Sequence, residues 1–85
     1  MNFEEAVEKI KALKDNLSDK EKGVIYGLYK QATIGDINIS RPFFINMIEC
    51  AKWDAWKKQE GQTKEQATQQ YVKTVNEYLE KYGNK

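Results

Sequence analysis

Histidine is absent from this sequence. That removes the side chain that most often moves protons near neutral pH. There is one cysteine, Cys50, so no internal disulfide can form. Free of a base to activate it, Cys50 reads as a small buried or half-buried apolar residue. Cysteine poverty and the lack of a signal peptide lead to an expected location in the cytoplasm. No apolar run approaches the length that spans a bilayer. Nor is there a Walker loop, an HExxH helix, a Cys/His ligand set or a GxSxG elbow. The nearest carboxylate pair, Glu4 and Glu5, sits at a helix start, where the helix dipole explains it. An enzyme is therefore not expected, nor a metal or a cofactor. Charge of one sign is also lacking: the net charge is +1 over 85 residues. A field for holding a nucleic-acid backbone needs many more cations, so no nucleic acid is expected as partner.

The charge that is present is unevenly spread. Residues 1–21 carry four lysines and six carboxylates, whereas residues 22–58 carry six Lys/Arg and three carboxylates. The middle of the chain is thus its basic part. Hydrophobic content of 40% and charged content of 32% suit one soluble domain with a modest core.

Four helices are expected, each with a start signal. Asn2 can cap the first, whose Phe3, Val7, Ile10 and Leu13 fall on one face. Ser18 and Glu21 form a capping box for the second, which runs to about Thr33 and ends at Gly35. Asn46 with Glu49 can begin the third, which runs to about Gln59 and stops at Gly61. Thr63 and Gln66 form a box for the fourth, with Ala67, Tyr71, Val75, Tyr78 and Tyr82 along one face and Gly83 at its end. No strand-like alternation occurs. The expected class is all-α, a four-helix bundle. Between helices two and three, residues 36–45 are long for a bundle connection and hold Ile37, Ile39, Phe43 and Phe44. They read as an ordered overhand connection packed on the bundle.

On the second helix Tyr26, Tyr29, Lys30 and Thr33 share a face, while Ile25, Leu28 and Ala32 share another that suits the core. On the third, Lys52 stands at the edge of a face with Ile48, Ala51 and Ala55. Rings beside ammonium groups suit a ligand with a flat ring and a phosphate, such as a nucleotide. Tyrosines at helical spacing also make ordinary core stripes, and lysines are ordinarily solvated. The residues alone leave both readings open, together with single-stranded RNA binding by base stacking.

The run Tyr26-x-x-Tyr29-Lys30-Gln31-Ala32-Thr33-x-Gly35-Asp36, then Arg41-Pro42, then Ala51-Lys52-Trp53-Asp54-Ala55-Trp56, resembles the acyl-CoA-binding protein (diazepam-binding inhibitor) family. The resemblance extends over the whole chain, 1–85, and includes Phe3 and Tyr71. It implies an up-down-down-up bundle and a non-enzymatic carrier of long-chain fatty acyl-CoA esters. Such a carrier would be a monomer that makes transient contact with membranes and with acyl-CoA-using enzymes. Carried over by position, it implies an acyl-CoA site at Lys11, Tyr26, Gly27, Leu28, Tyr29, Lys30, Lys52 and Tyr71. Aromatic rings would hold the adenine and lysines the ribose 3′-phosphate. The sequence departs from the family pattern at Val7, Lys22-Gly23, Phe43-Phe44, Ile48 and Cys50. The alternative of another class is a helical protein-interaction module presenting the Tyr26/Tyr29 face, with acyl-CoA binding secondary or lost.

Overall fold

In the computed structural model, which describes residues 1–83, four helices form. They are α1 (Phe3–Ile10), α2 (Asp19–Thr33), α3 (Met47–Lys57) and α4 (Lys64–Tyr78). A 3-10 turn over Lys11–Leu13 extends α1, and a wide π-type turn over Leu79–Gly83 extends α4. No strand occurs among the described residues. The architecture is the expected all-α, four-helix, up-down-down-up bundle.

The helices begin where side chains can satisfy free backbone N–H groups. Asn2, Ser18 and Thr63 each accept a bond from the amide three residues on, and Glu5, Glu21 and Gln66 reach back. Caps of this kind contribute about 0.5–2 kcal/mol each. The start of α3 differs. Asn46 makes no side-chain cap; its own amide instead donates to the Phe43 carbonyl at 2.9 Å. The α2 and α3 stops need backbone that favours glycine, and Gly35 and Gly61 have φ of 101° and 98°.

The core gathers Ala6 and Ile10 of α1, Leu13 and Leu17 after it, Leu28 of α2, and Tyr71 and Val75 of α4. Helix α2 is central, packing on both α3 and α4, while α1 lies on α4. The expected α2 core face needs correction. Leu28 is buried, but Ile25 and Ala32 are only half-buried, and Gly27 and Gln31 take the remaining buried places. Gly27 is there because α3 crosses against it. A Cβ at this position would lie 2.8 Å from the Ala55 carbonyl carbon, closer than real Cβ atoms approach. Gln31, at 0% exposure, donates to the Asp36 carboxylate at 2.9 Å and to the Gln62 carbonyl at 2.7 Å. It thereby ties the end of α2 to the turn before α4.

The long connection is ordered, though not by burying its rings. Trp56 donates its indole N–H to the Gly35 carbonyl and Trp53 to the Ile39 carbonyl, each at 2.8 Å. Arg41 makes a two-pronged pair with Asp54 at 2.9 Å, and the Cys50 thiol donates to the Phe43 carbonyl at 3.3 Å. Ile37 is half-buried, but Phe43 and Phe44 are 81% and 82% exposed. The connection is partly packed at Ile37 and Pro42 and anchored by polar contacts, while Phe43 and Phe44 face outward.

Candidate functional site

The capped start of α2 and the crossing at Gly27 fix where the tyrosines of α2 point. Position 26 and position 29 lie to one side of the buried Gly27–Leu28 pair, facing the gap between α2, α3 and the end of α1. That gap is an open cleft of about 760 Å³, in the size range of small-molecule sites. Its walls combine two chemistries. Tyr26, Tyr29 and Tyr71 bring rings, and Lys11, Lys14, Lys22 and Lys52 bring cations. Ile10, Leu17, Ile25, Met47, Ile48 and Ala51 bring apolar surface.

The rings are held by packing. Phe3 lies 5.9 Å from Tyr29, nearly parallel, and 5.0 Å from Tyr71, tilted. Tyr29 and Tyr71 are 6.2 Å apart. Such pairs add about 0.5–1.5 kcal/mol beyond burial. Tyr71 is 2% exposed, and burial, with a smaller part from the neighbouring Tyr29, pushes its phenol up to about 12. It stays neutral at physiological pH and keeps its proton for donation.

The cations are less confined. The Lys52 ammonium lies 5.8 Å over the Tyr26 ring and 3.6 Å from the Glu49 carboxylate, itself exposed. Lys11 pairs with Glu8 at 3.1 Å on the outer surface. These pairs are solvent-facing and weak, so an anion entering the cleft can take the ammonium groups from them at little cost. Among cleft-lining residues Asp19 is the one carboxylate against four lysines, which makes the cleft locally cationic in a nearly neutral protein.

Five of the eight sequence-derived site residues therefore meet in one place: Lys11, Tyr26, Tyr29, Lys52 and Tyr71. The other three do not line the cleft. Gly27 occupies the helix crossing, and Leu28 belongs to the core. Lys30 turns toward α3, with its ammonium 5.0 Å over the Trp56 ring. Sequence reasoning missed Lys14, Asp19 and Met47. They lie in the turn after α1, at the first residue of α2 and at the first residue of α3, where helical periodicity gives no signal. Ile10 was legible as a residue of the first helix's apolar face, but not as one that serves both core and cleft, as Leu17 also does.

Residues 1–75 match the family described as acyl CoA binding protein. The chain belongs to the acyl-CoA-binding protein family. It is 49% identical over 78 residues to an acyl-CoA-binding protein of Ricinus communis, covering 92% of this chain and 87% of that one. It is 48% identical over 79 residues to the acyl-CoA-binding domain-containing protein 3 of Oryza sativa, covering 93% of this chain but about half, 51%, of that longer protein. The fold is similar to the crystal structure of Oryza sativa acyl-CoA-binding protein 2, with a TM-score of 0.91 at 46% identity. That similarity covers 95% of this chain and 90% of the other. No group of three or more His, Cys, Asp or Glu among the described residues is placed to hold a metal ion. No helix among them is long and apolar enough to cross a membrane.

Proposed function

We propose that this protein is a non-enzymatic carrier that binds long-chain fatty acyl-CoA esters reversibly, buffers them and transports them within the cytoplasm. Residues 1–85 would form one acyl-CoA-binding domain that acts as a monomer. The observation that carries the reading is the single cleft in which tyrosine rings and lysines stand beside continuous apolar wall. An acyl-CoA ester has the matching parts: a purine, a phosphorylated ribose and a long alkyl tail.

Tyr26 and Tyr29 offer faces and edges to a purine, worth roughly 1–3 kcal/mol per stacked base, and the buried Tyr71 packs against Tyr29 and steadies it. Lys52 and Lys11 offer hydrogen bonds to phosphate oxygens, about 1.5–3 kcal/mol each for a charged partner. Lys30 would join them by moving its ammonium off the Trp56 face, a rotation open to a flexible half-buried lysine at the helix edge. Ile25, Met47, Ile48 and Ala51 offer the tail a dry wall, at about 0.8 kcal/mol per buried methylene. Each methylene then changes affinity roughly fourfold. Binding of this kind shields the tail from water and leaves the thioester chemically untouched. An interaction module that presents Tyr26 and Tyr29 to a partner helix is less well supported, because these rings line a recess instead of a raised face.

Calorimetric titration with palmitoyl-CoA, its 3′-dephospho form and free palmitate tests the reading. The full ester should bind tightest and free palmitate weakest. Equal binding of palmitate and palmitoyl-CoA would sink the nucleotide half of the site.

A further inference from the structure

The outward tip of the α2–α3 connection is left unexplained by binding in the cleft. Phe43, Phe44 and Ile45 are 81%, 82% and 73% exposed, and Met47 and Ile48 continue the strip at 78% and 73%. A monomer has no reason to hold so much contiguous apolar surface in water. The strip cannot fold back on the bundle, because its flanks are fixed. Trp56 holds Gly35, Trp53 holds Ile39, Arg41 is pinned to Asp54, and Cys50 bonds the Phe43 carbonyl.

We propose that this strip is a docking surface for an anionic phospholipid bilayer, with Phe43, Phe44 and Ile45 entering the headgroup–acyl boundary at the mouth of the cleft. The proposal rests on the carrier reading above and deepens it. Three observations favour a bilayer as the occupant. The strip is continuous with the cleft: Met47 and Ile48 belong to both. A tail leaving a bilayer along this path would stay in contact with apolar surface, whereas each methylene exposed to water lowers the population of that route roughly fourfold.

Charge is the second observation. Between Asp36 and Glu49 the chain carries one charged side chain, Arg41, and Asp54 neutralises it. The strip itself is therefore uncharged and can enter lipid. The neighbouring cleft supplies Lys11, Lys14, Lys22 and Lys52 against Asp19, with Glu49 facing Lys52 at 3.6 Å. Lysines close to an anionic membrane surface are attracted to it. Apolar insertion combined with a cationic flank is the pairing that reversible membrane association needs.

The third observation is composition. The strip presents two phenyl rings, two isoleucines and a methionine, with Asn46 as its one polar side chain, fewer polar groups than a specific protein interface carries. Its main-chain anchors leave the rings free to enter a soft phase.

Flotation with vesicles tests the proposal on the full chain without acyl-CoA. The probes are vesicles of phosphatidylcholine alone and of phosphatidylcholine mixed with phosphatidylglycerol. The variant is Phe43→Ser/Phe44→Ser, which alters no residue of the cleft. The wild type should associate with the mixed vesicles and release at high salt. The variant should partition roughly tenfold less or weaker still, since two phenyl groups are lost. Its affinity for palmitoyl-CoA in solution should stay within about twofold of wild type, which also shows that it is folded.

Equal partition of the two proteins, no association of the wild type, or association without preference for phosphatidylglycerol overturns the proposal. So does a dimer of the wild type, seen by sedimentation and abolished in the variant, because it gives the strip to a second copy. Failure of docking with palmitoyl-CoA affinity intact leaves the carrier reading standing. Absence of palmitoyl-CoA affinity in the wild type removes the carrier reading itself.

Discussion

The two walls of the cleft are built differently. The wall from α1, α2 and α4 is finished without a ligand: Tyr71 is buried, the core residue Leu28 lies behind the wall, and Phe3, Tyr29 and Tyr71 pack ring on ring. The wall from α3 is not. Met47, Ile48, Ala51 and Lys52 are all exposed, although three of them are apolar. Stability resides in the first wall, and the second has surface to offer. A carrier needs that division. If both walls were satisfied in the free state, a tail would displace contacts rather than add them, and burial would contribute little to affinity.

Substitutions on the two walls should separate stability from binding. The largest effect is expected where α3 crosses α2. Gly27→Val must push the Ala55 backbone away and should cost about 3 kcal/mol or more, read as a fall in the urea midpoint. One turn earlier, Gly23 gives the control. A Cβ there would meet the Ala55 Cβ at an ordinary 3.8 Å. Gly23→Ala should therefore stabilise α2 by about 0.5–1 kcal/mol. In the core behind that wall, Leu28→Ala should lower stability by about 2–5 kcal/mol. Ile48→Ala should shift stability by no more than about 0.5 kcal/mol, yet weaken palmitoyl-CoA binding in calorimetry. If Ile48→Ala unfolded the protein as readily as Leu28→Ala, the division between the walls would be lost.

Lys52→Ala should cost about 1.5–3 kcal/mol of acyl-CoA affinity and far less for the 3′-dephospho ester. Lys30→Ala sharpens the point. An equal loss would mean that Lys30 leaves Trp56 when ligand enters, and no loss would mean that its role is packing on that ring.

The effects of pH also differ between regions. At the outer end of the bundle the Ser18 amide, then the Tyr82 hydroxyl and Lys81, hold the Glu21 carboxyl down at about 2 against an ordinary 4.5. Its contribution is complete above 4.5 and is lost as pH falls toward 2. Glu21→Gln should flatten acid unfolding across that window. At the cleft, Tyr71 titrates near 12 rather than 10. Its contribution is complete below 10 and declines as pH rises through 12, so Tyr71→Phe should flatten the alkaline limb. Denaturation midpoints followed across pH check both.

Much of this was legible in the sequence, for local reasons. The Ser18 and Thr63 caps, the Gly35 and Gly61 stops and the α4 stripe through Ala67, Tyr71 and Val75 depend on neighbours along the chain. What lay beyond reach depended on contacts between distant segments. Gln31 is buried because Asp36 and the Gln62 carbonyl come to meet it. Phe43 and Phe44 read as packing residues, and they stay outside in a loop whose path is held by tryptophan N–H groups and Arg41. In the site, the tyrosines and Lys52 were marked by spacing and family resemblance. The direction of Lys30 could not be read, since a residue at a helix edge can turn to either side.

The most direct test of the central claim is the affinity of the protein for acyl-CoA esters of increasing chain length, measured by calorimetry. The account predicts roughly fourfold tighter binding per methylene until the apolar wall is used up, with coenzyme A alone far weaker. Affinity that does not change with chain length, or coenzyme A alone binding as tightly as palmitoyl-CoA, would contradict it.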